Sequence, residues 1–274
     1  MQSELLARDH PYFHQLQQHP LVMAHRGGAG LWPENTLFAF EKAVDLGIHV
    51  LETEIHSTKE GALVLIHDRT VDRTTNGTGP INAFTLKELK ELDAGYNWSS
   101  DGGQTFPFRG QGITVPTLEE VFTAFHKMHF NIDIKQVQPS LVLPLCEMIR
   151  GFNMVEKVMV ASFNSQTIKQ FRLKCPEVAT SASKSEIGIF FAMNLLFLGG
   201  AYRTAAHALQ VPEYSMGLHL LTQKFVDTAH KLNLKVHAWT INELADMRRL
   251  LELGVDGIIT DYPDRLISLL SSNP

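Results

Sequence analysis

Short apolar runs rich in β-branched residues alternate with amphipathic segments along almost the whole chain. The runs have the length of strands, and the segments between them repeat apolar residues at helical spacing. This alternation is typical of parallel βαβ units. We predict eight parallel strands, at Leu21–Arg26, Val50–His56, His129–Lys135, Lys157–Phe163, Val178–Ser183, Ala208–Val211, Lys235–Thr240 and Gly257–Thr260. Eight such strands with intervening helices indicate an α/β fold, a closed (β/α)₈ TIM barrel.

One further strand-like run, Ala62–His67, does not fit the parallel pattern. Only the short segment Thr58–Gly61 separates it from the second strand, whereas a parallel crossover needs about a dozen residues. We therefore predict an antiparallel hairpin. A turn centred on the middle of that segment places Glu52 directly opposite His67, with Cβ atoms about 5 Å apart, although a bulge would move the register.

The segment from Arg69 to Pro116 is rich in Gly, Asn, Thr and Asp, and it contains one predicted short helix at Thr85–Leu92. We interpret it as an insertion over the barrel mouth, after the hairpin of the second strand. The chain of 274 residues is within the size range of one barrel with such an insertion. We expect a single domain over residues 1–274.

Composition narrows the class of protein. Hydrophobic residues make up 44% of the chain and charged residues 19%, which excludes a disordered or fibrous protein. The formal net charge of −5 gives no reason to expect a nucleic-acid partner, because such domains usually carry a basic face.

The two cysteines, Cys146 and Cys175, fall in predicted helices without metal-type spacing, so we expect two reduced core residues in a reducing compartment. The N-terminal segment has no apolar run preceded by positive charge, and we predict a cytoplasmic protein with a solvated N-terminal segment that includes His10 and His14. The uncharged passage Ile187–Tyr202 is shorter than a membrane-spanning helix. It is either a helix packed on the barrel or a surface for peripheral membrane or lysolipid contact.

Polar residues cluster where the predicted strands end, which in such barrels is where active sites lie. His25 and Arg26 end the first strand, and Glu52 and Glu54 share one face of the second strand. Two acids inside a barrel strand are costly to bury unless they are paired or bind a metal, although an edge strand would expose them to solvent.

The strand at residues 129–135 aligns Asn131, Asp133 and Lys135 on one face. An Asp–Lys ion pair is one explanation. The other is a shared site, in which Glu52, Glu54 and Asp133 supply the oxygen ligands that Mg²⁺ or Ca²⁺ prefers. In that site Arg26 and Lys135 would neutralise a phosphate, and His25 and His67 would act as acid and base.

These motifs, taken in order, resemble the glycerophosphodiester phosphodiesterase family across nearly the whole chain. The matching runs are AHRGG at Ala24–Gly28, PENT at Pro33–Thr36, LETEIHSTKEGALVLIHD at Leu51–Asp68, NIDIK at Asn131–Lys135, HAWTIN at His237–Asn242 and GVDGIITDYPD at Gly254–Asp264. The resemblance implies a TIM barrel with a small insertion after the second strand. It also implies a metal-dependent enzyme that hydrolyses glycerophosphodiesters to sn-glycerol 3-phosphate and an alcohol.

The resemblance assigns roles to individual residues. It implies that His25 and His67 are the acid–base pair and that one divalent ion, Mg²⁺ or Ca²⁺, is held by three carboxylates; the implied ligands are Glu52, Glu54 and Asp133. Arg26 and Lys135 would contact the phosphate. Trp239 is either barrel filling or a wall of the substrate pocket, and the resemblance favours the wall.

The chain departs from the family pattern at two metal positions. The family usually reads Glu-x-Asp where this chain has Glu52-Thr53-Glu54, and usually has Glu where this chain has Asp133. Because Ca²⁺ tolerates irregular oxygen shells and Mg²⁺ does not, the swap leaves the metal open. Two other functions stay open as well: a lysophospholipase D that acts at the same phosphodiester, and a barrel that binds a phosphorylated ligand without turnover.

Overall fold

The computed structural model describes residues 9–16, 20–215 and 217–272. Its strands are β1 (Leu21–Ala24), β2 (Val50–Ser57), β3 (Leu63–Leu65), β4 (His129–Ile134), β5 (Val158–Ala161), β6 (Ala179–Thr180), β7 (Ala208–Pro212), β8 (Tyr214–Ser215), β9 (Leu218–His219), β10 (Lys235–Trp239) and β11 (Gly257–Thr260). Its α-helices are α1 (Pro11–His14), α2 (Leu37–Asp45), α3 (Leu86–Lys90), α4 (Leu118–Ala124), α5 (Val142–Gly151), α6 (Ser165–Lys174), α7 (Lys184–Leu195), α8 (Gln223–Lys231), α9 (Leu244–Glu252) and α10 (Pro263–Ser271).

Eight of the described strands form the barrel. They pair in parallel in the order β6, β5, β4, β2, β1, β11, β10, β7, and a parallel bridge between Ser181 and Ala208 joins the two ends. The predicted (β/α)₈ barrel is confirmed, and each predicted strand overlaps an observed one. The strands are buried almost throughout, as expected when helices cover the outer face and side chains fill the interior.

The hairpin is confirmed, but its predicted register is wrong by one residue. Ile55 pairs with Leu65 and Ser57 with Leu63, and Ile66 N–H donates to the carbonyl of Glu54. In this register His67 is not the residue opposite Glu52, as the prediction had it. The turn holds three residues between Thr58 and Ala62, not an even number, and ends at a glycine, Gly61, with φ +92°. Three-residue hairpin loops of this kind need a residue in the left-handed region, where glycine carries no Cβ penalty.

The insertion predicted at 69–116 packs beside the β2–β3 hairpin. Its own apolar cluster is built on buried side chains such as Val71, Leu89 and Ile113. Trp98 donates its indole N–H to the carbonyl of Ala29, at 3.0 Å, in the loop that follows β1. The insertion therefore contacts the end of the barrel at which the strands terminate.

The cysteine prediction is wrong. Cys146 of α5 and Cys175 at the end of α6 are buried, as expected, but they form a disulfide with an S–S distance of 2.08 Å. The two helices pack side by side, which brings together residues that lie 29 positions apart. Cytoplasmic placement stays a prediction, and it loses the support that free thiols would have given it.

The prediction of a solvated N-terminal segment is wrong for His10 and right for His14, which is exposed, and residues 1–8 and 17–19 lie outside the described part of the chain. Tyr12 of α1 is fully buried against the interior side chains of the barrel, and His10 is also buried and bonds to the carbonyl of Glu177. The aromatic ring covers apolar side chains, among them Leu21 and Val50, near the start of their strands. The end of the barrel opposite the insertion is thereby closed.

No helix among the described residues is long and apolar enough to cross a membrane. The passage 187–202 forms most of α7 and the turn that follows it.

Candidate active site

The chain turns sharply where β1 ends. His25, Arg26 and Gly27 form a tight 3₁₀ turn in which Arg26 has a left-handed backbone, with φ +52°. Gly27 follows with φ +82°, and a Cβ there would lie 2.6 Å from a ring carbon of Phe40. Only glycine fits this position, and the turn directs the His25 and Arg26 side chains into the pocket.

Two neighbouring strands supply the acidic side chains. Glu52 and Glu54 lie on the same face of β2, and the register pairs Glu54 with Asp133 of β4. All three carboxylates are buried and line one pocket. Asn35 donates to Glu54 Oε2 at 2.9 Å, so that part of the Glu54 charge is compensated from the loop before α2.

Each predicted catalytic histidine is held by an aspartate. His25 donates from Nδ1 to Asp261 at 2.6 Å, and His67 donates from Nδ1 to Asp68 at 2.6 Å. A carboxylate only accepts, so each Nδ1 carries a proton and each Nε2 is left to face the pocket. The two Nε2 atoms lie 3.9 and 4.0 Å from the same atom, Oε1 of Glu54.

Two cations lie among these acids. Arg26 donates from Nε to Glu54 at 3.0 Å and from Nη1 to Glu34 at 3.0 Å. Lys135 lies 2.8 Å from Asp133 Oδ2. The pocket thus brings together the side chains needed to bind an anion and to move protons within one cavity.

The charges of the pocket are coupled. Burial, together with the charge of Glu54, raises the pKa of Glu52 to about 8. Burial also raises the pKa of Asp133 against the lowering effect of Lys135. Burial by itself lowers the pKa of His25, but the hydrogen bond to Asp261 and the charge of Glu52 outweigh it and raise that pKa. Glu52 and Asp133 therefore hold a proton more readily than exposed carboxyl groups do.

This acidic group fits a divalent cation. Ligand atoms of His25, Glu52 and Glu54 all lie within 4.8 Å of one another. Asp133 Oδ1 is buried and has no hydrogen-bond partner among the described residues. An orphaned carboxylate oxygen beside two buried glutamates is the donor set that Mg²⁺ and Ca²⁺ take.

The pocket wall is aromatic and apolar on one side. Trp239 lines the pocket at the end of β10, and its ring lies edge-on to Phe163, 5.7 Å between centroids. Lys135 Nζ lies 5.1 Å from the Phe163 ring centroid, and Ile187 of α7 continues this wall. The cavity has a volume of about 200 Å³.

All eight residues predicted for the site line this cavity: His25, Arg26, Glu52, Glu54, His67, Asp133, Lys135 and Trp239. The prediction missed the two orienting aspartates and the aromatic wall at Phe163. Asp261 directly follows β11, and a polar residue just after a barrel strand is a readable signal for a site. Asn242 holds the second oxygen of Asp261 at 2.7 Å.

The barrel and the pocket define an enzyme class: a TIM barrel with paired imidazoles beside an acidic cluster. A family model described as the glycerophosphoryl diester phosphodiesterase family matches residues 25–265. The chain belongs to this family, and it is an enzyme, a phosphoric diester hydrolase.

Individual relatives agree with this assignment. A glycerophosphodiester phosphodiesterase of Caldanaerobacter subterraneus subsp. tengcongensis is 37% identical over 257 residues, which cover 91% of this chain and 97% of that protein. A lysophospholipase D of Mus musculus is 26% identical over 284 residues, which cover 91% of this chain and 86% of that protein.

Solved structures share the fold. A glycerophosphoryl diester phosphodiesterase domain from Mycobacterium tuberculosis superposes with a TM-score of 0.81 at 22% identity, covering 93% of this chain and 100% of that one. A phosphodiesterase of Oleispira antarctica, solved with the product sn-glycerol-3-phosphate, gives a TM-score of 0.75 at 26% identity and covers 96% and 100%.

Proposed function

We propose that this enzyme hydrolyses glycerophosphodiesters to sn-glycerol 3-phosphate and an alcohol, with one divalent metal ion and a pair of histidines. One observation carries the proposal: two imidazoles, each fixed at Nδ1 by an aspartate, direct Nε2 towards the same buried Glu54. Acid–base catalysis at a phosphodiester needs two such groups on one pocket. The Oleispira relative, with its bound product, supports the choice of substrate.

In this mechanism His25 and His67 divide the proton transfers. One Nε2 removes a proton from the attacking oxygen, which belongs to water or to the neighbouring glycerol hydroxyl. The other Nε2 delivers a proton to the oxygen of the leaving alcohol, so that the P–O bond breaks without forming a free alkoxide. When the glycerol hydroxyl attacks first, a cyclic phosphodiester forms and water then opens it with the two roles exchanged.

Arg26 and Lys135 bind the phosphate oxygens and balance their charge. Glu52, Glu54 and Asp133 would hold the metal ion, which supplies Lewis-acid stabilisation of the phosphoryl group. Asp261 and Asp68 keep the imidazoles in the tautomer that leaves Nε2 available. A carboxylate that accepts from one ring nitrogen of a histidine fixes the ring in this way in other enzymes.

The experiment is a substrate panel measured with metal replacement. Turnover of glycerophosphocholine should be lost in EDTA and return with Mg²⁺ or Ca²⁺. The variants His25→Ala and His67→Ala should each lose about 10²- to 10⁴-fold in kcat while they keep the wild-type circular dichroism spectrum. His126→Ala is a matched control, since that exposed histidine lies outside the pocket. Near-wild-type turnover in either pocket variant would overturn the assignment.

A second candidate substrate class is lysophospholipids, from which the same step would release lysophosphatidic acid. The apolar wall favours it, because Phe163 is 53% exposed at the pocket and Ile187 extends that wall onto α7. A small glycerophosphodiester has no group to cover such a wall, whereas an acyl chain has. The ratio of kcat/KM for lysophosphatidylcholine and glycerophosphocholine separates the two activities.

A further inference from the structure

Five large apolar side chains are exposed on α7 and the turn that follows it. We call this surface the α7 ridge. The exposed fractions are 55% for Ile189, 60% for Leu195, 69% for Leu196, 85% for Phe197 and 55% for Leu198. The last four are consecutive, and runs of exposed apolar residues on a monomer mark interaction sites.

The helix is apolar on the side that faces solvent as well as on the side that faces the barrel. Phe190 and Asn194 are its buried residues, while Gly188 and Ala192 lie exposed beside Ile189. A surface helix normally carries charged residues on its outer face, and a helix that is apolar all round is normally buried. From residue 187 to residue 202 there is no charged side chain. The outer face of α7 is therefore an apolar surface exposed to solvent.

Phe197 is also held in an unfavourable backbone conformation. Its φ is +61°, and of the described residues with positive φ only Arg26 and Phe197 are neither glycine nor asparagine. Arg26 lies in the catalytic pocket. Phe197 ends the helix in the position that glycine usually takes, since Leu198 N–H bonds to the carbonyl of Met193 at 2.8 Å. A large aromatic residue there costs stability, and its side chain is 85% exposed, so the cost is not repaid by burial within the chain.

Cations flank the ridge. Lys224 Nζ lies 3.4 Å from the centroid of the Phe197 ring, Lys184 begins α7, and Arg203 follows the apolar passage. Across the described part of the chain, no carboxylate lies within 4.0 Å of these three side chains, and Arg203 instead donates to backbone carbonyls. Cations without an acidic partner, placed around exposed apolar side chains, are complementary to a partner that has an anionic surface over an apolar interior.

The helix that carries the ridge begins at the catalytic pocket. Lys184 and Ile187, in the first turn of α7, line that pocket. The helix has 12 residues, a length of about 18 Å. At its far end Asn194 donates to the carbonyl of Lys224, at 3.3 Å, in the first turn of α8. Because α8 follows β7 and the β8–β9 hairpin, that turn lies towards the end of the barrel where the strands terminate.

We propose that the α7 ridge docks this enzyme on the surface of an anionic lipid bilayer. The apolar side chains enter the boundary between headgroups and acyl chains, and Lys184, Lys224 and Arg203 face the anionic headgroups. The proposal does not depend on which phosphodiester is hydrolysed, because docking is a binding property that is measured without turnover.

The test is co-sedimentation of the full chain with vesicles of phosphatidylcholine and phosphatidylglycerol at a 3:1 ratio, compared with pure phosphatidylcholine. The wild type should bind the anionic vesicles more tightly at low salt. The double variant Leu196→Asn/Phe197→Asn should lose about 10- to 100-fold in partition coefficient, and Lys224→Gln about fivefold. Leu173→Asn is the matched control, because Leu173 is 72% exposed and belongs to another helix, α6. The binding of this variant should equal that of the wild type.

Folding is checked in these variants and in the single variant Phe197→Asn. Phe197→Asn should raise the melting temperature, because asparagine takes the left-handed conformation more readily. Turnover of a soluble glycerophosphodiester should not change. A wild type that stays in the supernatant with anionic vesicles, or a ridge variant that binds like the wild type, would overturn the proposal. So would a wild-type dimer that the ridge variant dissociates, since the ridge would then be a contact between two copies.

Discussion

From the buried acidic cluster we predict that the carboxylates that would bind the metal lower the stability of the fold when no metal is bound. In the metal-free protein the pKa of Glu52 is about 8, compared with an ordinary value of 4.5, because the side chain is buried beside Glu54. The folded state therefore binds a proton that the unfolded state has released, and stability falls as the pH rises from 4.5 to 8. The loss is about 1.4 kcal/mol per pH unit, or about 3 kcal/mol at pH 7.

Replacing Glu52 by glutamine removes this titration while the side chain keeps its shape. The amide oxygen of the glutamine can still accept from the Arg26 backbone N–H, whose nitrogen lies 3.2 Å from Glu52 Oε2 in the wild type. In EDTA, Glu52→Gln should be more stable than the wild type by about 3 kcal/mol at pH 7, and the two should converge below pH 4.5. A saturating divalent ion should close the gap, because it stabilises the wild type by about 3 kcal/mol at 100 times its Kd.

Urea denaturation in EDTA, at pH 5 and pH 8, measures both stabilities. Glu41→Gln, an exposed glutamate of α2, is the control and should show no such pH dependence. The reasoning would be refuted by a Glu52→Gln variant that is less stable than the wild type in EDTA at pH 8, or by a gap that does not grow with pH.

Three further results are expected. Asp261→Asn should lower kcat about 100-fold or more at unchanged secondary structure, because His25 loses the carboxylate that fixes its tautomer; an unaltered kcat would contradict this. The Cys146–Cys175 disulfide closes a loop of 29 positions. A reductant should therefore lower the free energy of unfolding by about 3.5 kcal/mol and the melting temperature by about 6 °C. A variant with both cysteines replaced by alanine should not respond to the reductant. Phe163→Ala should raise the KM for lysophosphatidylcholine about tenfold more than the KM for glycerophosphocholine, and equal changes would argue against an acyl chain on this wall.

Most of the site could be predicted from the sequence because barrel topology converts chain position into spatial position. Residues at strand ends meet at one end of the barrel, so the chain positions of Glu52, Glu54 and Asp133 alone predict that they lie together. The orienting aspartates were not predicted. His25 and Asp261 are 236 positions apart, and their hydrogen bond depends on which strands the barrel closure makes neighbours.

The β2–β3 hairpin was predicted correctly as a pair of strands but not in its register. Alternation predicted the antiparallel pair, but the register depended on whether the turn held two or three residues. Gly61 permits the three-residue turn, and the register moves by one position, so that Ile66 N–H bonds to the carbonyl of Glu54. The side chain of His67 still reaches the site, with Nε2 4.0 Å from Glu54 Oε1.

The barrel, the hairpin, the insertion and the polar ends of the strands can be predicted from the sequence, because these follow from local periodicity and from the length of connections. The disulfide, the burial of the N-terminal helix and the exposure of the α7 ridge follow only from the packing of the folded chain. Each of these depends on which helices lie side by side and on what covers each face. A run such as Leu195–Leu198 has the same composition whether it packs inside a protein or faces a membrane, and only its surroundings distinguish the two.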